Sequence, residues 1–124
     1  MKGVEIIELD KIADNEKGRT FEFTNRDTEK LLLIKRKKGT ISGGHYHTGK
    51  NPMKDPETIL IIDGEMEIIF RNVRTSEEMI EVYTRPMLFK ISPYIYHKIK
   101  ALTDVIFIDM NSIKDDDDTI REEK

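Results

Sequence analysis

Turn residues interrupt this chain too often for long helices to form. Short runs rich in Ile, Val, Phe and Tyr recur along almost its whole length, and no segment keeps a sustained 3.6-residue apolar period. The runs predict strands over Val4–Leu9, Arg19–Asn25, Lys30–Lys37, Glu57–Ile62, Glu65–Val73, Met79–Thr84, Met87–Ile91, Tyr96–Leu102 and Val105–Asn111. Asp63-Gly64 reads as a hairpin turn of type I′, and Thr103-Asp104 as a second tight connection. Only residues 112–124, "SIKDDDDTIREEK", offer either a short helix with aspartates at its N-terminus or a frayed acidic tail. Many short strands with few helices imply an all-β sandwich or barrel.

At 124 residues the chain is read as a single domain, 1–124. A net charge of -3 argues against a nucleic-acid binder, which needs a basic face. The one basic stretch, "KLLLIKRKKG", is read as a strand end with solvated side chains. No run approaches the length of a membrane span and no signal-peptide core is present, so neither membrane nor export is expected. With no cysteine, disulfides and thiolate ligands are excluded, and the cytoplasm is the expected compartment.

The chemistry concentrates in the histidines. There are three: His45 and His47 form a His-x-His pair in "GGHYHTGK", and His97 follows a proline in "ISPYIYHKIKAL". Strand alternation puts His45 and His47 on one face and Tyr46 on the other. Glu57 shares its face with Ile59 and Ile61, and His97 shares its face with Ile99 and Ala101. Glu57 and His97 therefore each continue an apolar interior stripe. Imidazoles and a carboxylate suit a divalent transition metal (zinc, iron, nickel or manganese), so His45, His47, Glu57 and His97 are the expected ligands. Tyr94, in the Pro93 turn, is a candidate proton donor, and Arg36, Lys38 and Arg71 are candidates for greeting an anionic substrate. Ser42, Gly43 and Gly44 let the backbone turn tightly into the metal strand. Thr58, Leu60 and Ile62 make the other face of the Glu57 strand largely apolar as well, which suggests a second sheet or a partner subunit behind it.

At these residues the chain resembles the cupin superfamily, over about residues 30–111, with 112–124 as an acidic tail. Gly39, five residues, His45-Tyr46-His47, then Glu57, six residues and Gly64 follow the first cupin motif. The nine residues between His47 and Glu57, "TGKNPMKDP", exceed the family's usual spacing and read as a loop insertion, which makes Asp55 the alternative carboxylate. Pro93 and His97 follow the second motif, with Ile95 where a glycine is expected and Ala101 in place of its final asparagine. The resemblance implies a jelly-roll barrel, or double-stranded β-helix, that binds a metal and a small molecule and commonly forms a homodimer. "GGHYHTGKN", with Thr48, Lys50 and Asn51, is most similar to cupins of sugar-nucleotide and polysaccharide biosynthesis. That points to isomerase or epimerase chemistry on a carbonyl or sugar-like substrate. An iron-dependent dioxygenase and a non-catalytic ligand-binding module are the alternatives.

Overall fold

A computed structural model describes residues 1–24, 30–84, 86–110 and 118–122. Its strands are β1 (Val4–Glu8), β2 (Asp10–Asn15), β3 (Gly18–Glu22), β4 (Leu32–Arg36), β5 (Ile41–Tyr46), β6 (Glu57–Asp63), β7 (Met66–Asn72), β8 (Glu78–Tyr83), β9 (Met87–Ile91), β10 (Ile95–Ala101), β11 (Val105–Asp109) and β12 (Ile120–Arg121). The first sheet runs β1-β9-β6-β11-β4, the second β12-β5-β10-β7-β8, and β2 pairs with β3 in a hairpin of its own. The two larger sheets close over one core. Ile59, Ile61, Phe89 and Phe107 of the first meet Met66, Ile68, Phe70 and Ile99 of the second.

Most expected strands are present within a residue or two of their bounds. Three readings are corrected. Asp63-Gly64 does not close a hairpin: β6 and β7 lie in different sheets, and only Gly64 of the pair has positive φ, at 98°. A Cβ on Gly64 would stand 2.4 Å from the Asp104 carbonyl oxygen. Thr103-Asp104 is the matching corner from β10 to β11, and Glu65 ties the two corners together by donating its N–H to Thr103 Oγ1 and accepting Leu102 N–H. The connection turns a corner because Ile59 and Ile61 on one side, and Met66 and Ile68 on the other, all point into the same core.

The segment between the first two predicted runs is not a loop but carries β2, whose charged and exposed residues hid it from an apolar pattern. At the other end, Ile120–Arg121 is a strand against β5, so the described part of the tail is neither helical nor frayed. Residues 111–117, on which the rest of that reading falls, lie outside the described residues. The apolar outer side of β6 is also covered from within the chain: Leu60 packs with Leu88 and Met110, and Ile7, Leu9 and Ile108 close around them.

The strand that carries the His-x-His pair bears a bulge. His97 pairs with His45 but Lys98 pairs with Gly43, so one residue of β5 is skipped. Gly43 and Gly44 supply it with φ of 79° and 78°, and a Cβ on Gly43 would lie 2.7 Å from the His97 carbonyl oxygen. The bulge brings His45 into line with His97 across the ladder. Gly43→Ala is therefore expected to destabilise the protein by about 1–3 kcal/mol, measured by denaturant unfolding.

Candidate metal centre

Two sheets contribute to the centre. β5 and β10 hold His45 and His97 side by side, and His47 follows one residue past the end of β5. Glu57 opens β6 in the facing sheet, so the insertion before it leaves the carboxylate in reach of all three rings. One ligand atom from each of His45, His47, Glu57 and His97 lies within 4.8 Å of the others. Ligands around a metal at 2.0–2.1 Å stand roughly 3–4 Å apart, so a small contraction closes a coordination shell. Asp55 is exposed and is not part of this cluster among the described residues.

The hydrogen bonds settle which nitrogen of His47 and of His97 faces inward. His47 Nδ1 lies 2.8 Å from the Asp118 carbonyl oxygen and His97 Nδ1 lies 3.0 Å from the Ile95 carbonyl oxygen. A carbonyl only accepts, so both Nδ1 atoms carry protons and both Nε2 atoms turn toward Glu57. His47 Nε2 is 3.1 Å from Glu57 Oε2, and His97 Nε2 is 2.8 Å from Glu57 Oε1. The second contact lacks hydrogen-bond geometry, which leaves Glu57 Oε1 and His97 Nε2 as buried polar atoms without a hydrogen-bond partner. Three lone-pair atoms converging out of water call for a cation, either protons or a metal ion. The residues fit a metal.

One resident cation is already close. Lys54, only 3% exposed, places Nζ 3.2 Å from Glu57 Oε2. A 3₁₀ turn over Pro52–Lys54, capped by the Asn51 side chain on Met53 N–H, lays the lysine inward. Lys54 thus keeps one carboxylate oxygen and leaves Oε1 toward His97.

The environments pull the ionisable groups apart. Burial, with the charge of His97 beside it, pushes His45 down to about 3, so it is a neutral imidazole at ordinary pH. Burial alone would lower His47 too, but the Glu57 hydrogen bond and charge outweigh it and raise it. Burial would likewise raise Glu57, yet the His97 charge and the His47 hydrogen bond hold it well below the usual carboxylate range.

The cavity beside the cluster measures about 370 Å³. His45, Glu57 and His97 form its polar wall, Ile59, Ile99 and Phe107 its apolar lining, and Arg36 and Arg121 also line it. Of the substrate-binding candidates, Arg36 is in place; its Nε donates to Ser42 Oγ at 3.1 Å. Lys38 sits in the turn beside Asp104, whose carboxylate takes its N–H, and does not line the cavity. Arg71 does not line it either: its guanidinium lies 4.6 Å over the Tyr96 ring and pairs with Glu122. Tyr94 is also outside. Its ring stacks under Arg74 at 3.7 Å, its N–H donates to the His47 carbonyl oxygen, and its φ is 64°. The backbone demand that glycine would meet therefore falls on Tyr94 and not on Ile95. Lys54, Asp118 and Arg121 are site residues that no sequence signal singled out.

The metal-free protein is expected to be most stable near pH 6.5. His45, held below its ordinary value, makes stability fall as pH drops from about 6.5 toward 3; Glu57 adds to that acid arm through its own depressed value. His47, held above its ordinary value, gives stability that is complete below about 6.5 and lost as pH rises through the raised value. Melting of chelator-treated protein across about pH 4–9 reads both arms. His45→Gln should flatten the acid arm and His47→Gln the alkaline arm.

No protein-family model matches the chain, and no curated protein sequence does. Solved structures do. A histidine-to-asparagine variant of the 3,4-ketoisomerase QdtA from Thermoanaerobacterium thermosaccharolyticum, in complex with TDP-4-keto-6-deoxyglucose, is 19% identical with a TM-score of 0.75, over 98% of this chain and 89% of that one. The WlaRB TDP-quinovose 3,4-ketoisomerase of Campylobacter jejuni is 17% identical with a TM-score of 0.77, over 98% and 95%. The dTDP-6-deoxy-D-glucose-3,5-epimerase RmlC of Legionella pneumophila is 16% identical with a TM-score of 0.67, over 87% and 65%. With its facing antiparallel sheets, its corners and its strand order, the chain has the single-domain, RmlC-like jelly-roll fold of the cupins.

Proposed function

We propose that the chain is a metal-dependent isomerase or epimerase that moves a proton between carbons next to a carbonyl of a nucleotide-linked sugar. The observation that carries the metal is the convergence of His47 Nε2, His97 Nε2 and Glu57 Oε1 with both Nδ1 protons spent on main-chain carbonyls. His45, neutral and at the cavity wall, would complete the ligand set. A divalent ion of zinc, iron, nickel or manganese held there would supply Lewis acidity at a carbonyl oxygen.

The chain's own groups supply the rest. The cavity is at the small end of ligand pockets, which run about 300–1,000 Å³, and suits a sugar ring but not a whole nucleotide. Arg36 and Arg121 would receive the anionic part. Ile59, Ile99 and Phe107 would keep water from the ring and strengthen every charge interaction beside it. We assign proton abstraction to Asp109, a second carboxylate on the cavity lining beside Glu57. The C–H electron pair would move into a new C=C bond and the carbonyl oxygen would take a proton, giving an enediol. Return of a proton to the former carbonyl carbon, while the other enediol hydroxyl gives up its proton and becomes the new C=O, gives the isomer. Return to the opposite face of the original carbon, while the first oxygen gives up its proton and the carbonyl re-forms, gives the epimer.

A metal-free form of this chemistry is favoured by Lys54, which already balances Glu57. The test is elemental analysis of the purified protein with incubation in D₂O with TDP-4-keto-6-deoxyglucose. Stoichiometric metal and deuterium at a carbon beside the carbonyl are expected, both lost in His45→Ala. Deuterium uptake that survives chelation would assign the metal-free form. Iron with oxygen consumption and no deuterium uptake would instead assign a dioxygenase. Tight binding with unchanged ligand would assign a binding module.

A homodimer is part of this reading. β4 is an edge strand, and Leu31 and Leu33 beside and within it are 49% and 65% exposed. Sedimentation should give a dimer that Leu33→Lys weakens at least tenfold. A monomeric parent protein at micromolar concentration would sink it.

A further inference from the structure

The C-terminal strand does more than add an edge to the second sheet. Asp118, just before it, is 3% exposed and reaches the ligand-bearing end. One carboxylate oxygen accepts the Thr48 N–H at 2.8 Å and the Thr48 hydroxyl at 2.5 Å. The other accepts the Gly49 and Asn51 N–H groups, each at 3.0 Å. The same residue's main-chain carbonyl takes the His47 Nδ1 proton at 2.8 Å. β12 then pairs Ile120 with Tyr46 and Arg121 with His45.

His47 needs such a holder. It lies beyond the last residue of β5, where no ladder fixes its ring, and it leads into the inserted loop. Three loop amides there, of Thr48, Gly49 and Asn51, spend their protons on Asp118. We propose that Asp118 is a positioning residue for His47. Its carboxylate gathers the Thr48–Asn51 backbone, and that anchorage sets the carbonyl that keeps His47 Nδ1 protonated and Nε2 aimed at Glu57. The proposal rests on the reading of the His–Glu cluster as the functional centre. Outer partners of ligating imidazoles typically change metal affinity 10–100-fold when removed.

The test uses the full chain, first without metal. Long-range ¹⁵N NMR of the ring nitrogens should show His47 Nδ1 protonated and slowly exchanging in the parent protein. In Asp118→Ala the His47 Nδ1 proton should exchange faster and its nitrogen should shift toward the unprotonated range. His97 is the internal control, because its Nδ1 is held separately by Ile95. Asp118→Asn should behave like Asp118→Ala, since an amide NH₂ would face N–H donors where the carboxylate accepts them. A change at His47 with His97 unmoved supports the assignment. No change at His47, or equal changes at both rings, overturns it. If Asp118→Ala does not fold, Thr48→Val carries the same comparison, with a smaller change at His47 expected and none overturning. Titration with Co(II) then asks about the metal separately: affinity should fall at least tenfold in Asp118→Ala. A parent protein that binds no Co(II) defeats the metal reading while the NMR comparison still judges Asp118.

Discussion

A fully buried carboxylate is the constraint around which this end of the barrel is arranged. Glu57 could not remain ionised out of water alone, since the desolvation cost of a carboxylate is several kcal/mol even after relaxation. The Lys54 ammonium meets Oε2, and a cation between Glu57 and the two facing Nε2 atoms, a proton or a metal ion, completes the balance that keeps it ionised. Because Glu57 belongs to the first sheet and His45 and His97 to the second, the same contacts also clamp the two sheets at the cavity mouth. The arrangement is asymmetric. Lys54 and His47 crowd Oε2, whereas Oε1 has only an ill-aligned His97 Nε2. That imbalance gives the site an open direction toward the cavity.

The rings are sorted by their surroundings in a way that matches such a direction. His45 faces the cavity and is driven neutral, with the Arg121 guanidinium 3.4 Å from its Nδ1. His47 stands behind the cavity wall, locked between Asp118 and Glu57, and its affinity for a proton is raised. Two chemically identical side chains, His45 and His47, are therefore shifted in opposite directions by burial and by the groups that meet their rings.

Much of this was legible in the sequence because it depends on period two. Alternation alone placed His45 with His47, and Glu57 and His97 on apolar stripes, and the structure brings those four together. Strand positions were equally readable wherever one face was apolar. What failed were features that alternation does not encode. Asp63-Gly64 has the residues of a hairpin turn, but whether it closes a hairpin or turns a corner depends on which sheet lies beneath the next strand. β2 pairs through backbone groups while its side chains stay exposed, so it left no apolar signature. Tyr94, Lys38 and Arg71 were judged by charge or by nearness in sequence to His97; the first two lie in turns away from the cavity, and Arg71 lies over Tyr96. Asp118 was one of four consecutive aspartates, and nothing in the run singles it out.

The nine-residue loop before Glu57 shows how length can be added between His47 and the carboxylate while the two stay in contact. Nine residues between His47 and Glu57 free the carboxylate from any local tether to the histidine pair. Closing a longer loop costs only slowly increasing entropy, so added length alone is tolerable. The harder problem is the loop's backbone, whose N–H groups face inward beside a charged centre and must find acceptors. Asp118 receives them at the His47 end, and the Pro52–Lys54 turn spends its own groups internally before delivering Lys54 to Glu57. The loop thus supplies a cation to the carboxylate it might have displaced. It also makes the His47 ring dependent on a residue some seventy positions away. Insertion and C-terminal strand are therefore one structural unit, and a change in either is felt at His47 before it is felt at His97, whose ring is held by its own strand.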